Sequence, residues 1–90
     1  MQVVWSEPAI ADLIGIRAYI AQFNPYAAAD MAARLLQAAD GLEHFAHRGR
    51  PVGPGLRELA VIHPYVIRYR IEADRVLVLR VRHGRRKPGP

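Results

Sequence analysis

Apolar side chains recur at spacings of three and four through the first half of this chain and at a spacing of two through the second, so the sequence reads as helices followed by strands. A short apolar run, Gln2–Trp5, precedes the helices and is read as a first strand. Ser6 supplies an N-cap oxygen, with Glu7 and Pro8 in the first turn, where an acid and a proline are both favoured. Ile10, Leu13, Ile16, Ile20 and Phe23 then form one stripe. It ends at Asn24-Pro25, because the residue before a proline avoids helical angles. Asn24 caps a second helix whose stripe is Ala28, Met31, Leu35, Ala38, Leu42 and Phe45, with Gly41 a weak point near its end. Two helices joined by so short a turn make an antiparallel αα-hairpin.

His47–Gly55 carries three glycines and two prolines and reads as a loop. Three strands follow, Leu56–Ile62, Tyr65–Ile71 and Arg75–His83, separated by turns at His63-Pro64 and Glu72-Ala73-Asp74. Alternation puts Tyr65, Ile67, Tyr69 and Ile71 on one face and Val66, Arg68 and Arg70 on the other. The last strand is expected to turn Leu77, Leu79 and Val81 inward and Val76, Val78, Arg80 and Arg82 outward. The fold class is therefore α+β: an N-terminal strand and αα-hairpin packed on a small, largely antiparallel β-sheet. Residues 1–84 are expected to form one domain and residues 85–90 a basic flexible tail.

Composition narrows the functional classes. The chain has 90 residues and is 51% hydrophobic, but fourteen residues are alanine, so its core is small. It has no cysteine, which removes disulfides and thiolate metal sites and fits a cytoplasmic setting. No apolar stretch is long enough to span a membrane, and no secretory leader is visible. Residues 1–47 hold two bases against five acids, a net −3, whereas residues 48–90 hold eleven bases against three acids, a net +8. Twelve of the thirteen bases are arginine, suited to bidentate pairing with carboxylate or phosphate. The second half seeks an anionic partner, either nucleic acid or an acidic protein.

The candidate binding residues follow from strand parity. Arg68 and Arg70 lie on one strand of a hairpin and Arg80 and Arg82 on the other, and like charges on paired strands repel unless an anion neutralises them. Arg85 and Arg86 extend the same basic surface into the tail. Tyr65 and Tyr69 fall on the core face and read as packing residues. His44 and His47, two histidines with no cysteine, make a poor metal site, so no metal is expected. His83, beside Arg82 and Arg85, is the one histidine placed for acid–base work. Glu58, after Arg57, is either a base among arginines or a salt-bridge partner, and the second is the commoner fate of an acid in a basic sheet.

Taken in order, the segments resemble a known family. Trp5-Ser6-x-x-Ala9-x-x-Asp12-Leu13-x-x-Ile16-x-x-Tyr19-Ile20 is similar to the opening of RelE/ParE-type toxins, and Asn24-Pro25-x-Ala27-Ala28 suits the turn between their helices. Gly49-Arg50-Pro51-x-x-x-Gly55-x-Arg57-Glu58-Leu59, Tyr65–Ile71 and Leu79-Arg80-Val81-x-His83-Gly84-x-Arg86 resemble the remainder. The resemblance implies a bacterial, cytoplasmic toxin of a type II toxin–antitoxin module of the plasmid-stabilising kind. It implies no cofactor, and a cognate, ParD-like antitoxin whose toxin-binding segment is acidic. It also implies one of two targets: DNA gyrase, poisoned without chemistry by the toxin, or the ribosome, where mRNA is cut. The lysines and terminal tyrosine usual in the nuclease branch are absent, leaving Arg57, Glu58, Arg68, Arg80 and His83 as a reduced nuclease set. The Gly-Arg-Pro…Arg-Glu-Leu and Ile-Arg-Tyr-Arg-Ile segments match the ParE-like, gyrase-directed branch more closely. An inactive partner-binding module is the third reading.

Overall fold

The computed structural model describes residues 1–84. Strand β1 (Gln2–Trp5) leads into helices α1 (Glu7–Ala21) and α2 (Pro25–Asp40), a 3₁₀ turn at Gly41–Glu43, and strands β2 (Arg50–Gly53), β3 (Leu56–Ile62), β4 (Tyr65–Ile71) and β5 (Arg75–His83). The five strands form one sheet in the order β1-β5-β4-β3-β2. Only β1 and β5 pair in parallel; the other three pairings are antiparallel, as the α+β expectation required.

The helix caps are those the sequence specified. The Ser6 hydroxyl accepts from the Ala9 N–H at 3.2 Å, and the Asn24 side-chain carbonyl accepts from the Ala27 N–H at 3.0 Å. Ser6 also ties α1 to the sheet: its N–H donates to the Val78 carbonyl at 2.9 Å and its hydroxyl donates to the Leu79 carbonyl at 3.0 Å. The cap thus continues the β1–β5 pairing for one more residue as the chain turns into a helix.

Both helices lie on the face of the sheet that holds Ile67 and Tyr69. The side chains wholly removed from solvent there are Tyr69, Leu35, Leu42, Ile67, Val76 and Val78, with Ala9 and Ala39 closing the gap between layers. Small residues at those contacts let the helices approach closely, which is how a chain so rich in alanine still closes a core. Tyr69 satisfies its hydroxyl inside that core: it accepts from the Gly49 N–H at 2.9 Å and donates to the Ala46 carbonyl at 2.6 Å. The loop after the 3₁₀ turn is therefore anchored on a buried side chain.

Four expectations are corrected. The segment Arg50–Gly53 is an edge strand rather than loop; Pro51 is tolerated because an edge leaves one side of the strand free of ladder bonds. Pro54 and Gly55 make its hairpin turn, with Gly55 at φ 69°, a conformation that glycine adopts without steric cost. In α1, Ile10 and Phe23 are exposed, and the inward line is Ala9, Leu13 and Ile16 instead. Phe45 is 68% exposed, because the three residues per turn of the 3₁₀ segment shift the phase of the α2 stripe before reaching it.

The fourth correction is in β5. Arg68 pairs with Arg80 and Tyr69 with Val78, so Leu79 has no opposite residue and forms a β-bulge. The extra residue reverses the parity: Val76 and Val78 are buried before it and Val81 after it, whereas Leu77 lies in the outward row with Arg70. Strict alternation, which assumes no bulge, assigned Val76, Val78, Leu77 and Leu79 to the wrong faces.

Glycine substitutions separate packing from propensity. At Gly49 a Cβ would lie 2.7 Å from the Glu58 carbonyl oxygen and 2.8 Å from the Tyr69 hydroxyl, whereas at Gly15 it would meet nothing within 4 Å. Gly49→Ala is expected to cost about 2 kcal/mol in urea unfolding. Gly15→Ala, in the interior of α1, is expected to add about 0.5–1 kcal/mol.

Candidate functional site

The strand register assembles a row of charge across the sheet. Arg50 on β2 stands opposite Glu58 on β3, Glu58 opposite Arg68 on β4, and Arg68 opposite Arg80 on β5. Parity turns Glu58 and Arg68 away from the helices, since the neighbouring rows carry Tyr69 with Val78 and Ile67 with Val81 into the core, whereas Arg80 reaches round the edge of β5 to α1. Arg68 donates to one Glu58 oxygen from Nε at 3.0 Å and from Nη2 at 2.6 Å. The second oxygen of Glu58 lies 3.5 Å from Arg50 Nη2. Glu58 is thus the salt-bridge partner of two arginines.

Arg80 is met from the other side. Beyond Trp5 the first strand has ended, and the outer edge of β5 faces α1 instead. Asp12 on α1 takes up that edge: it accepts from Arg80 Nε at 2.8 Å and Nη2 at 3.1 Å, and from the backbone N–H of Val81 at 2.9 Å. Burial pushes the Asp12 carboxyl up. The bonds from Arg80 and Val81, with the charges of Arg80 and Arg82, outweigh it and hold the group below its ordinary value. The two arginines that face one another across β4 and β5 therefore each have an internal carboxylate, and the repulsion between them is answered within the chain.

The remaining candidates lie elsewhere. Arg70 and Arg82 are exposed and have no carboxylate within 4.0 Å among the described residues. Arg70 shares its row with Leu56, Leu77 and Val4, and Arg82 pairs with Val66, so each stands among half-buried aliphatic side chains on the open face. Arg57 pairs in register with Tyr69, on the helix side, and donates from Nη1 to the carbonyls of Gly49 at 2.7 Å and His47 at 3.2 Å. His83 also falls in a helix-side row, opposite Tyr65, with the two rings edge to face at 5.9 Å. The reduced nuclease set is thereby divided: Glu58 and Arg68 lie on the open face, Arg57 on the helix side, and Arg80 and His83 both border the gap between α1 and β5. Arg85 and Arg86 lie outside the described residues, as does the tail they belong to.

A groove of 740 Å³ runs between α1 and the free end of β5, with Asp12, Gly15, Ile16 and Tyr19 on the helical wall and Arg82 and His83 on the other. His44 and His47 are exposed, and no group of three or more metal-binding side chains occurs among the described residues. No helix among them is long and apolar enough to cross a membrane.

Sequence reasoning missed Asp12 and Arg50. The signal for Asp12 was present: it lies three residues after Ala9 and four before Ile16, on the flank of the buried line, where a carboxylate needs a partner. Arg50 was hidden because its segment was read as loop.

Comparison with known proteins adds the family. Residues 3–88 match the model of the ParE toxin of the type II toxin–antitoxin system parDE. The chain is 52% identical to Toxin RelE2 of Caulobacter vibrioides, over 94% of this chain and 97% of that protein. It is 39% identical to the putative toxin Y4kP of Sinorhizobium fredii, over 92% and 88%. A solved chain of the chromosomal ParDE TA system from P. aeruginosa superposes with a TM-score of 0.82 at 26% identity, covering 92% of this chain and 95% of that one.

The Asp12 contact predicts an acid limb of stability. Because the folded carboxyl titrates below its unfolded value, its contribution is complete above the ordinary aspartate range near pH 4 and is lost as pH falls through the lower folded value. Asp12→Asn should be less stable than the parent at neutral pH, and the difference should shrink on acidification below about pH 4 in thermal unfolding.

Proposed function

This chain belongs to the ParE toxin family of type II toxin–antitoxin systems, and from that premise we propose that it poisons DNA gyrase in the cytoplasm without catalysing a reaction of its own. One observation carries this reading: the residues that would serve a nuclease are spread over the open face, the helix side and the gap between α1 and β5, and the carboxylate among them stands apart from His83 and is held by two arginines. General acid–base cleavage of RNA needs a base and an acid converging on one ribose and its phosphate. Glu58 and His83 lie on opposite sides, and Arg57 is committed to loop carbonyls. A poison that acts by binding needs only a surface. The open sheet face, with Arg70 and Arg82 among Val4, Leu56, Val66 and Leu77, supplies one.

The same surface suits the antitoxin. A ParD-like segment that is acidic and partly apolar would lay its carboxylates on Arg70 and Arg82, and on Arg85 and Arg86 of the tail, while its apolar side chains cover the aliphatic rows between. Such a segment, disordered when free, would order on binding.

With gyrase, ATP and supercoiled plasmid, the purified chain free of antitoxin should accumulate linear DNA covalently joined to gyrase. Absence of breaks from folded protein that stops a cell-free translation reaction would replace gyrase with the ribosome. For the antitoxin, Arg70→Ala combined with Arg82→Ala should weaken binding about tenfold, since each exposed pair is worth up to about 1 kcal/mol. Parent-like affinity in that variant would move the grip to the exposed apolar residues of the helix hairpin, Ile14, Tyr19, Phe23 and Tyr26.

A further inference from the structure

Arg68 and Arg80 are directly opposite on adjacent strands, and two arginines so placed would make a clamp for a phosphodiester. In this chain each has a carboxylate competing for that role. The Nε–Nη2 edge that takes a carboxylate also takes a phosphate oxygen pair, and with it filled a phosphate is left the Nη1 donors and the second Nη2 hydrogen. That edge of Arg68 is filled by Glu58, and that edge of Arg80 by Asp12. Both carboxylates are themselves held in place, Glu58 by its second contact to Arg50 and Asp12 by the Val81 N–H. Their side chains are only 17% and 16% exposed, so neither swings freely into water. Arg70 and Arg82, by contrast, stand out from the row with no such partner among the described residues.

We propose that Glu58 and Asp12 are specificity residues that keep nucleic-acid phosphates off the arginine row. They act through the arginines rather than on any ligand: each occupies the Nε–Nη2 edge of its arginine, and leaves Arg70 and Arg82 as open-face arginines with no carboxylate within 4.0 Å among the described residues. The two carboxylates lower the charge of the three-arginine row from +3 to +1 and so weaken its attraction for a polyphosphate chain, while the flanking arginines still take single carboxylates of a protein partner. This assignment rests on the non-nuclease reading, since a toxin that cuts mRNA would need Arg68 and Arg80 on its phosphates.

The test is the affinity of the purified full chain for a fluorescein-labelled oligouridylate, followed by anisotropy over a range of salt. Glu58→Gln removes the charge with little change of shape, and Asp12→Asn keeps an oxygen for the Val81 N–H. Glu43→Gln removes one charge from an exposed acid outside the row. Glu58→Gln and Asp12→Asn should each bind the oligonucleotide about fivefold more tightly at low salt, with the log–log salt slope steeper by about 0.7. Glu43→Gln should bind as the parent does. Circular dichroism establishes that each variant is folded, and if one is not, the other carries the test. A folded Glu58→Gln or Asp12→Asn that binds no more tightly than the parent overturns the proposal. So does a Glu43→Gln variant that gains as much, because net charge alone would then account for the effect.

Discussion

Beyond the apolar core, one carboxylate, that of Asp12, fixes helix α1 to the edge of the sheet that β1 leaves uncovered. A five-stranded sheet whose first strand is four residues long leaves most of a nine-residue neighbour with an open edge. Unpaired N–H and carbonyl groups on such an edge invite strand addition from other chains. Here α1 covers part of that edge with side chains. Ser6 meets the Val78 and Leu79 carbonyls, and Asp12 meets the Val81 N–H. The bulge at Leu79 is what makes this spacing work, since the extra residue turns the Val81 N–H and the Arg80 side chain together toward the helix. The helix position, the strand parity and the pairing of Arg80 therefore depend on one another.

The same contact decides the electrostatics of the open face. A sheet that sets arginine against arginine on neighbouring strands is unfavourable by about 0.2–1 kcal/mol for the pair unless something compensates. The compensation could come from a bound anion or from the chain, and the geometry answers for the chain, with Glu58 on one side and Asp12 on the other. What remains for partners is the unpaired charge at the margins of the row. The chain's +5 net charge is thus a poor guide to where an anion binds, because its most regular arginines are the ones already taken.

Much of this was legible from the sequence, for reasons that are local. Ser6 and Asn24 cap helices by chemistry that needs no tertiary context, and the alternation in Tyr65–Ile71 fixes a face over seven residues. The type II toxin family was legible as well, because its motifs run in order along nearly the whole chain. What was not legible depends on neighbours. The Leu79 bulge is a property of the pairing between β4 and β5, and nothing in Leu77–Val81 alone announces it. The strand at Arg50–Gly53 exists because β3 offers it a partner, against its proline and glycine content. Phe45 left the core because a short 3₁₀ turn changed the helical phase. The site suffered most from these errors: the parity of β5 decides which side chains stand beside Arg80, and the missed edge strand carries the arginine that fixes Glu58.

The division of charge along the chain acquires a structural meaning once the layers are known. Both helices come from the half with net −3 and four of the five strands from the half with net +8, and among the described residues Asp12–Arg80 is the ion pair that joins helix to sheet. A 90-residue domain with a small, alanine-rich core has little stability to spare. It nonetheless leaves Ile14, Tyr19, Phe23 and Tyr26 largely exposed on the hairpin and a row of aliphatic side chains on the open sheet. Any partner that covers such apolar surface adds its binding free energy to the folding of the chain, so a domain with this small a core gains stability wherever its exposed hairpin or open sheet face is covered.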